Sequence, residues 1–146
     1  MKVFAHIVLM AALAVSFVAP AYAQESLWNE LNAKAHTLYQ QGQYSEAATV
    51  AEEALKVAER TFGPDHPHVA QSLNNLAELY KAQGKYAEAE PLYKRALAIS
   101  EKALGPDHPD VATVLENLSE LYNKSGRQDE AKRLQERAER IRSKNQ

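Results

Sequence analysis

The sequence has no cysteine. That excludes disulfides, thiol nucleophiles and thiolate metal sites, and also a lipidated bacterial N-terminus, which is built on a cysteine just after the leader. Glycine occurs five times and always singly, so no glycine-rich loop is present to cradle a phosphate. Charge of neither sign dominates: 17 Lys and Arg face 19 Asp and Glu, a net charge of −2. Such a balance gives no general attraction to nucleic acid. Long apolar runs are missing too, with one exception at the N-terminus.

That exception is MKVFAHIVLMAALAVSFVAPAYAQ. A positive charge at Lys2 precedes an apolar run from Val3 to Ala19, and the small-residue exit Ala21-Tyr22-Ala23 follows. This is the layout of a secretory signal peptide, with cleavage expected after Ala23. The expected mature chain, Gln24–Gln146, has a net charge of −3 and no membrane span, and its expected location is the periplasm or the medium. An exported chain of this size without disulfides depends on packing alone.

What is present is repetition. Gly42, Gly63, Gly84, Gly105 and Gly126 follow one another at intervals of 21 residues. GPDHPHVAQSLNNLAELY from Gly63 and GPDHPDVATVLENLSELY from Gly105 agree at 13 of 18 positions. GQYSEA, GKYAEA and GRQDEA open the alternate segments at 42, 84 and 126. The unit is therefore 42 residues with two halves. Both halves have apolar residues at spacings of three and four, as in Val69, Ala70, Leu73, Leu76, Ala77 and Tyr80, the signature of a helix with one buried face.

The Gly-Pro-Asp-His-Pro stretch then reads as a connector between helices. Gly105 ends one helix, Pro106 stops its continuation, and Pro109 suits the first turn of the next. Asp107 or His108 is placed to accept from the free amides of that turn. A metal site is the competing interpretation for Asp65, His66, His68, Asp107 and His108. The two loops should lie roughly 10 Å apart by helix-packing distance, too far for three or four ligands to converge on one ion. No metal and no cofactor is expected.

With these residues in view, the chain resembles the tetratricopeptide-repeat family, in the 42-residue form found in kinesin light chains. The resemblance rests on Leu73, Leu76, Ala77, Tyr80, Gly84, Tyr86, Ala89, Tyr93 and Ala96 in the second repeat. Leu115, Leu118, Ser119, Tyr122, Gly126, Ala131 and Ala138 carry it in the third, and Leu31, Ala35, Leu38, Gly42, Tyr44, Ala47 and Ala54 in the first. Lys34 departs from the pattern, standing where Leu76 and Leu118 are. The implied fold is all-α: a right-handed α-solenoid of three helix-turn-helix repeats, about 25–62, 67–104 and 109–144. Ala35 with Ala47 and Ala77 with Ala89 put small residues where paired helices meet, and Tyr80, Tyr86 and Tyr93 fill the space between repeats.

The last helix has a narrow apolar stripe, Ala131, Leu134, Ala138 and Ile141, with Gln135 in the place of Tyr93. It is expected to be a polar cap on the stack. Pro91, inside the fourth helix, is expected to bend it near its start.

Catalytic parts are missing: no partnered nucleophile, no phosphate loop, and carboxylates such as Glu88 and Glu90 on exposed positions without a matched acid–base environment. An enzyme is not expected. The resemblance implies instead a peptide-binding groove on the first helix of each repeat. Matched residue by residue, that face is Asn29, Asn32, His36 and Tyr39, then Gln71, Asn74, Asn75, Glu78 and Lys81, then Thr113, Glu116, Asn117, Glu120 and Asn123. Side-chain amides, which both donate and accept, suit a peptide backbone. Gln71 and Thr113 stand where related grooves carry lysines for a terminal carboxylate, while Glu78, Glu116 and Glu120 are acidic, so a neutral or basic peptide is expected.

The expected function is an exported adaptor that binds a protein or peptide segment in this groove. Two alternatives follow from charge placement, since residues 24–125 carry a net −6 and residues 126–146 a net +3. One is self-association, the acidic body of one copy meeting the basic end of another. The other is binding of an anionic surface through the arginine-rich last helix.

Overall fold

The computed structural model describes residues 20–146. Those residues form six helices: α1 (Ala21–Gln40), α2 (Tyr44–Phe62), α3 (Pro67–Ala82), α4 (Tyr86–Leu104), α5 (Pro109–Lys124) and α6 (Gln128–Lys144). The apolar run read as a leader falls outside the described residues. Helix α1 starts at Ala21, so the expected cleavage point lies within its first turn. Among the described residues no helix is long and apolar enough to cross a membrane.

The two classes of glycine end helices differently. Beyond α3, the Gly84 N–H donates to the Lys81 carbonyl and the Lys85 N–H to the Tyr80 carbonyl, at 3.0 and 2.9 Å. This is the crossed pair that closes a helix on a left-handed residue, and Gly84 has φ +74°. Gly105 closes α4 with φ +93° and ψ 156°, an extended positive-φ conformation open essentially to glycine alone. The chain therefore turns tightly within a repeat and swings out between repeats.

Helices α3 and α5 start on the cap that the proline pattern anticipated. Pro67 and Pro109 occupy their first positions, and the preceding residue is extended. The capping side chain is the histidine: Nδ1 of His66 accepts from the His68 backbone N–H, and Nδ1 of His108 from that of Asp110, each at 3.1 Å. The aspartates instead reach forward one repeat. Asp65 pairs with Lys102 at 3.0 Å and Asp107 with Lys144 at 2.8 Å.

Within each pair the helices meet on small residues. Ala35, Ala47, Ala77 and Ala89 are all buried. In the third pair the Ser119 hydroxyl donates to the Ala131 carbonyl at 2.8 Å, a bond that only such close approach allows. Tyr93 is fully buried between α3, α4 and α5, and Tyr80 and Tyr86 pack partly buried against the same core. Complete burial of Leu73 and Leu115 contributes about 1.5–3 kcal/mol each. At the chain end α6 buries only Ala131, Ala138 and Ile141, as expected of a cap. Pro91 lies on the exposed side of α4, which continues through it to Leu104.

Candidate functional site

Helices α1, α3 and α5 stand side by side, tied by side chains 43 residues apart. Asn75 Nδ2 donates to Asn32 Oδ1 at 3.3 Å, and Asn117 Nδ2 donates to Asn74 Oδ1 at 3.1 Å. Asn32 Nδ2 in turn donates to the Trp28 carbonyl at 2.8 Å. In each pair one amide nitrogen and one amide oxygen link one repeat to the next.

Three cavities open along this face. Asn32, His36, Tyr39, Asn75 and Glu78 surround a cavity of about 220 Å³ floored by Ala35 and Leu79. Gln71, Asn74, Asn75 and Thr113 line a second, of about 470 Å³, between α3 and α5. A third, about 250 Å³, lies among Tyr39, Glu78, Lys81 and Glu120. Asn29 is exposed and lines none of them, and Asn123 belongs to a separate hollow against α6 with Gln128, Lys132 and Gln135.

Lys81 lines the third of these cavities, but its ammonium is engaged within the chain. Only 7% of the residue is exposed. Its ammonium sits 2.9 Å from Glu78 and 2.6 Å from Glu120, and Glu78 also accepts from the buried Tyr93 hydroxyl. Burial opposes the charge on Lys81, but the Glu120 and Glu78 carboxylates outweigh it and the ammonium is held above its ordinary range. Burial and then Glu78 push the Tyr93 phenol well up. Glu116 is likewise engaged, by Arg142 at 2.9 Å. Glu78, Glu116 and Glu120 thus each have an internal cation partner.

The same economy holds at the basic end. Arg127 lies against the Tyr122 ring at 3.9 Å and bonds Glu90 at 2.8 Å and Glu130 at 2.6 Å. Arg137 pairs with Glu101 and Lys144 with Asp107. Four of the seven basic residues of this segment, Arg127, Arg137, Arg142 and Lys144, thus pair with carboxylates of the acidic body of the same chain.

Sequence reasoning missed the second cavity, although a signal was there. At the first junction the corresponding space is filled by Trp28, which contacts Phe62 and His68 and donates its indole N–H to Ser72 at 2.8 Å. Forty-two residues on, these four positions are Ala70, Leu104, Asp110 and Val114, all of which line the cavity. The hollow is the room an indole occupies one repeat earlier.

Stacked helix pairs in 42-residue register, with a polar face along the first helix of each, define a helical-repeat solenoid. The tetratricopeptide-repeat family model matches residues 25–102 and 71–144, and the chain belongs to that family. Among solved structures it is similar to BtubC (BKLC) from P. vanneervenii, with 31% identity and a TM-score of 0.77 over 83% of this chain and 48% of that one. A putative kinesin light chain of Podospora anserina with nearly identical TPR-like repeats gives 28% and 0.74, over 87% of this chain and 58% of that one. The TPR domain of Arabidopsis FLU has the same fold at 18% identity and a TM-score of 0.71, over 82% of this chain and 98% of that one. The chain thus spans about half the length of the first two. No curated protein matches it.

Proposed function

We propose that this chain is an exported interaction module that holds an extended, largely uncharged peptide segment along α1, α3 and α5. The observation that carries the reading is the face itself. Amide side chains and the exposed Tyr39 ring border three adjoining cavities, while Glu78, Glu116 and Glu120 are already paired with cations of the same chain. Membership of a family whose repeats generally mediate protein–protein contacts supports it. The remaining amide valences suit a peptide backbone, and the cavities suit its side chains. The leader-like N-terminus supports export.

The test is selection of peptides from a display library on the full-length chain. Neutral segments should be recovered. Tyr39→Ala and Gln71→Ala together, both at exposed positions, should weaken them about tenfold or more without loss of helicity. Undiminished binding by that variant would overturn the groove assignment. For export, the N-terminus of protein recovered from a bacterial periplasm should be Gln24, and an intact Met1 would contradict the leader.

A further inference from the structure

We propose that the first connector is an acid-released latch, in which neutral His66 and His68 fasten the start of α3 to α2 and α1 and let go when protonated. The latch stands on geometry. His66 caps α3 through Nδ1, and its ring stacks on Phe62 with centroids 4.8 Å apart. His68 lies 4.1 Å from the ring of Trp28 and 4.7 Å from that of Phe62. The two imidazoles are themselves 4.8 Å apart. One aromatic cluster thus joins three helices at one corner of the groove.

An Nδ1 that accepts a hydrogen bond carries a lone pair, so the ring proton of His66 is on Nε2. A second proton goes to Nδ1. It removes the cap and sets a cation beside the amides of a helix start, where positive charge is disfavoured. Charging His68 adds a like charge 4.8 Å away, within the cluster that includes the buried Trp28. Burial, and then His66, hold the His68 imidazole below its ordinary range, against a smaller opposing pull from Glu25 of α1. The other charged groups at this corner are Asp110 of α5, which lines the same cavity as His68, and Asp65, whose carboxylate is taken by Lys102 of α4. A histidine held low makes the folded state bind fewer protons than the unfolded one. Its contribution is complete above about pH 6.5 and declines as the pH falls below that.

The second connector is the internal control. His108 caps α5 in the same way, but the Asp110 carboxylate stands 3.8 Å from its Nδ1, a counter-ion ready for the charged ring. The aromatic neighbours are also gone, since Ala70, Leu104 and Asp110 replace Trp28, Phe62 and His68. Acid release should therefore be confined to the corner between α1, α2 and α3. Its consequence for ligands rests on the peptide-binding reading, and the latch itself does not.

Amide hydrogen exchange on the full-length chain between about pH 7.5 and 5, corrected for the intrinsic pH dependence of exchange, tests this. Protection of the first turn of α3 should fall about tenfold or more relative to that of α5, and the emission of Trp28, the only tryptophan, should change over the same range. His66→Asn with His68→Phe keeps a cap and an aromatic ring without titration, and should abolish both changes. His66→Asn alone should reduce the loss of protection. Protection retained by the parent to pH 5, or an equal loss in either variant, would overturn the latch.

Discussion

Asn117 donates a side-chain hydrogen bond to Asn74, one repeat earlier, across 3.1 Å. The Asn75–Asn32 pair makes the same bond at the preceding junction. Asparagine is a poor helix former, and its place on this face is explained by holding neighbouring first helices in register. Asn117→Ala should cost about 1 kcal/mol. Gln71→Ala, at an exposed position, should stay within about 0.5 kcal/mol of the parent. Urea unfolding followed by circular dichroism decides between them.

Lys81→Met tests the ion network beneath the groove. The substitution keeps the buried stem but leaves Glu78 and Glu120 facing each other without the ammonium. Glu120 is half exposed and water relieves it, whereas Glu78 is mostly covered. The expected loss is about 2 kcal/mol, below that for a fully buried pair. A further Glu78→Gln change should recover part of it, measured as a double-mutant cycle.

Glu90 sets an acid limit on the junction of the last two repeats. Its carboxylate accepts from Lys94, Arg127 and Tyr122. Lys94 first, and then Arg127 and Tyr122, hold it down to about 2 against the opposing effect of burial. A depressed carboxylate stabilises the fold above its unfolded value near 4.5, and that contribution is lost as the pH falls from there toward 2. Glu90→Gln should lower stability at neutral pH and flatten this acid limb. Melting temperatures of parent and variant across that range check the sign.

The two glycine conformations separate in mutagenesis. A Cβ at Gly84 or Gly105 meets nothing within 4 Å, so only backbone strain opposes it. Gly84→Asn should cost little, because asparagine tolerates the left-handed region. Gly105→Asn should cost about 1–3 kcal/mol, because ψ 156° at positive φ is closed to side chains. Equal losses at the two sites would contradict the assigned conformations.

Trp28→Ala should cost about 3–5 kcal/mol, since the indole fills the first junction and bonds Ser72. Ala70→Trp at the second junction should fold with unchanged helicity, the new ring entering a cavity of about 470 Å³. A shrunken cavity seen by crystallography, with α4 and α5 unmoved, would support the equivalence of the two sites.

Much of the architecture was legible in the residues because it is local and repeated. Evenly spaced glycines stop helices, prolines start them, and a 3.6-residue apolar period marks the buried face. None of this requires knowing what lies across the junction. The boundaries of α3 and α4 follow from Pro67, Gly84, Tyr86 and Gly105. What tertiary structure alone decided were the partners of polar side chains. Lys81 and Asn75 look like open groove residues in sequence, yet Lys81 is held by Glu120, 39 residues away, and Asn75 by Asn32, 43 residues away. Asp65 and His66 looked equally fit to cap α3, and packing assigned the cap to His66 and the ion pair to Asp65. Helix formation is settled over a few turns of chain. Whether a charge or an amide is free or engaged depends on which distant atoms the stacking brings within hydrogen-bond reach.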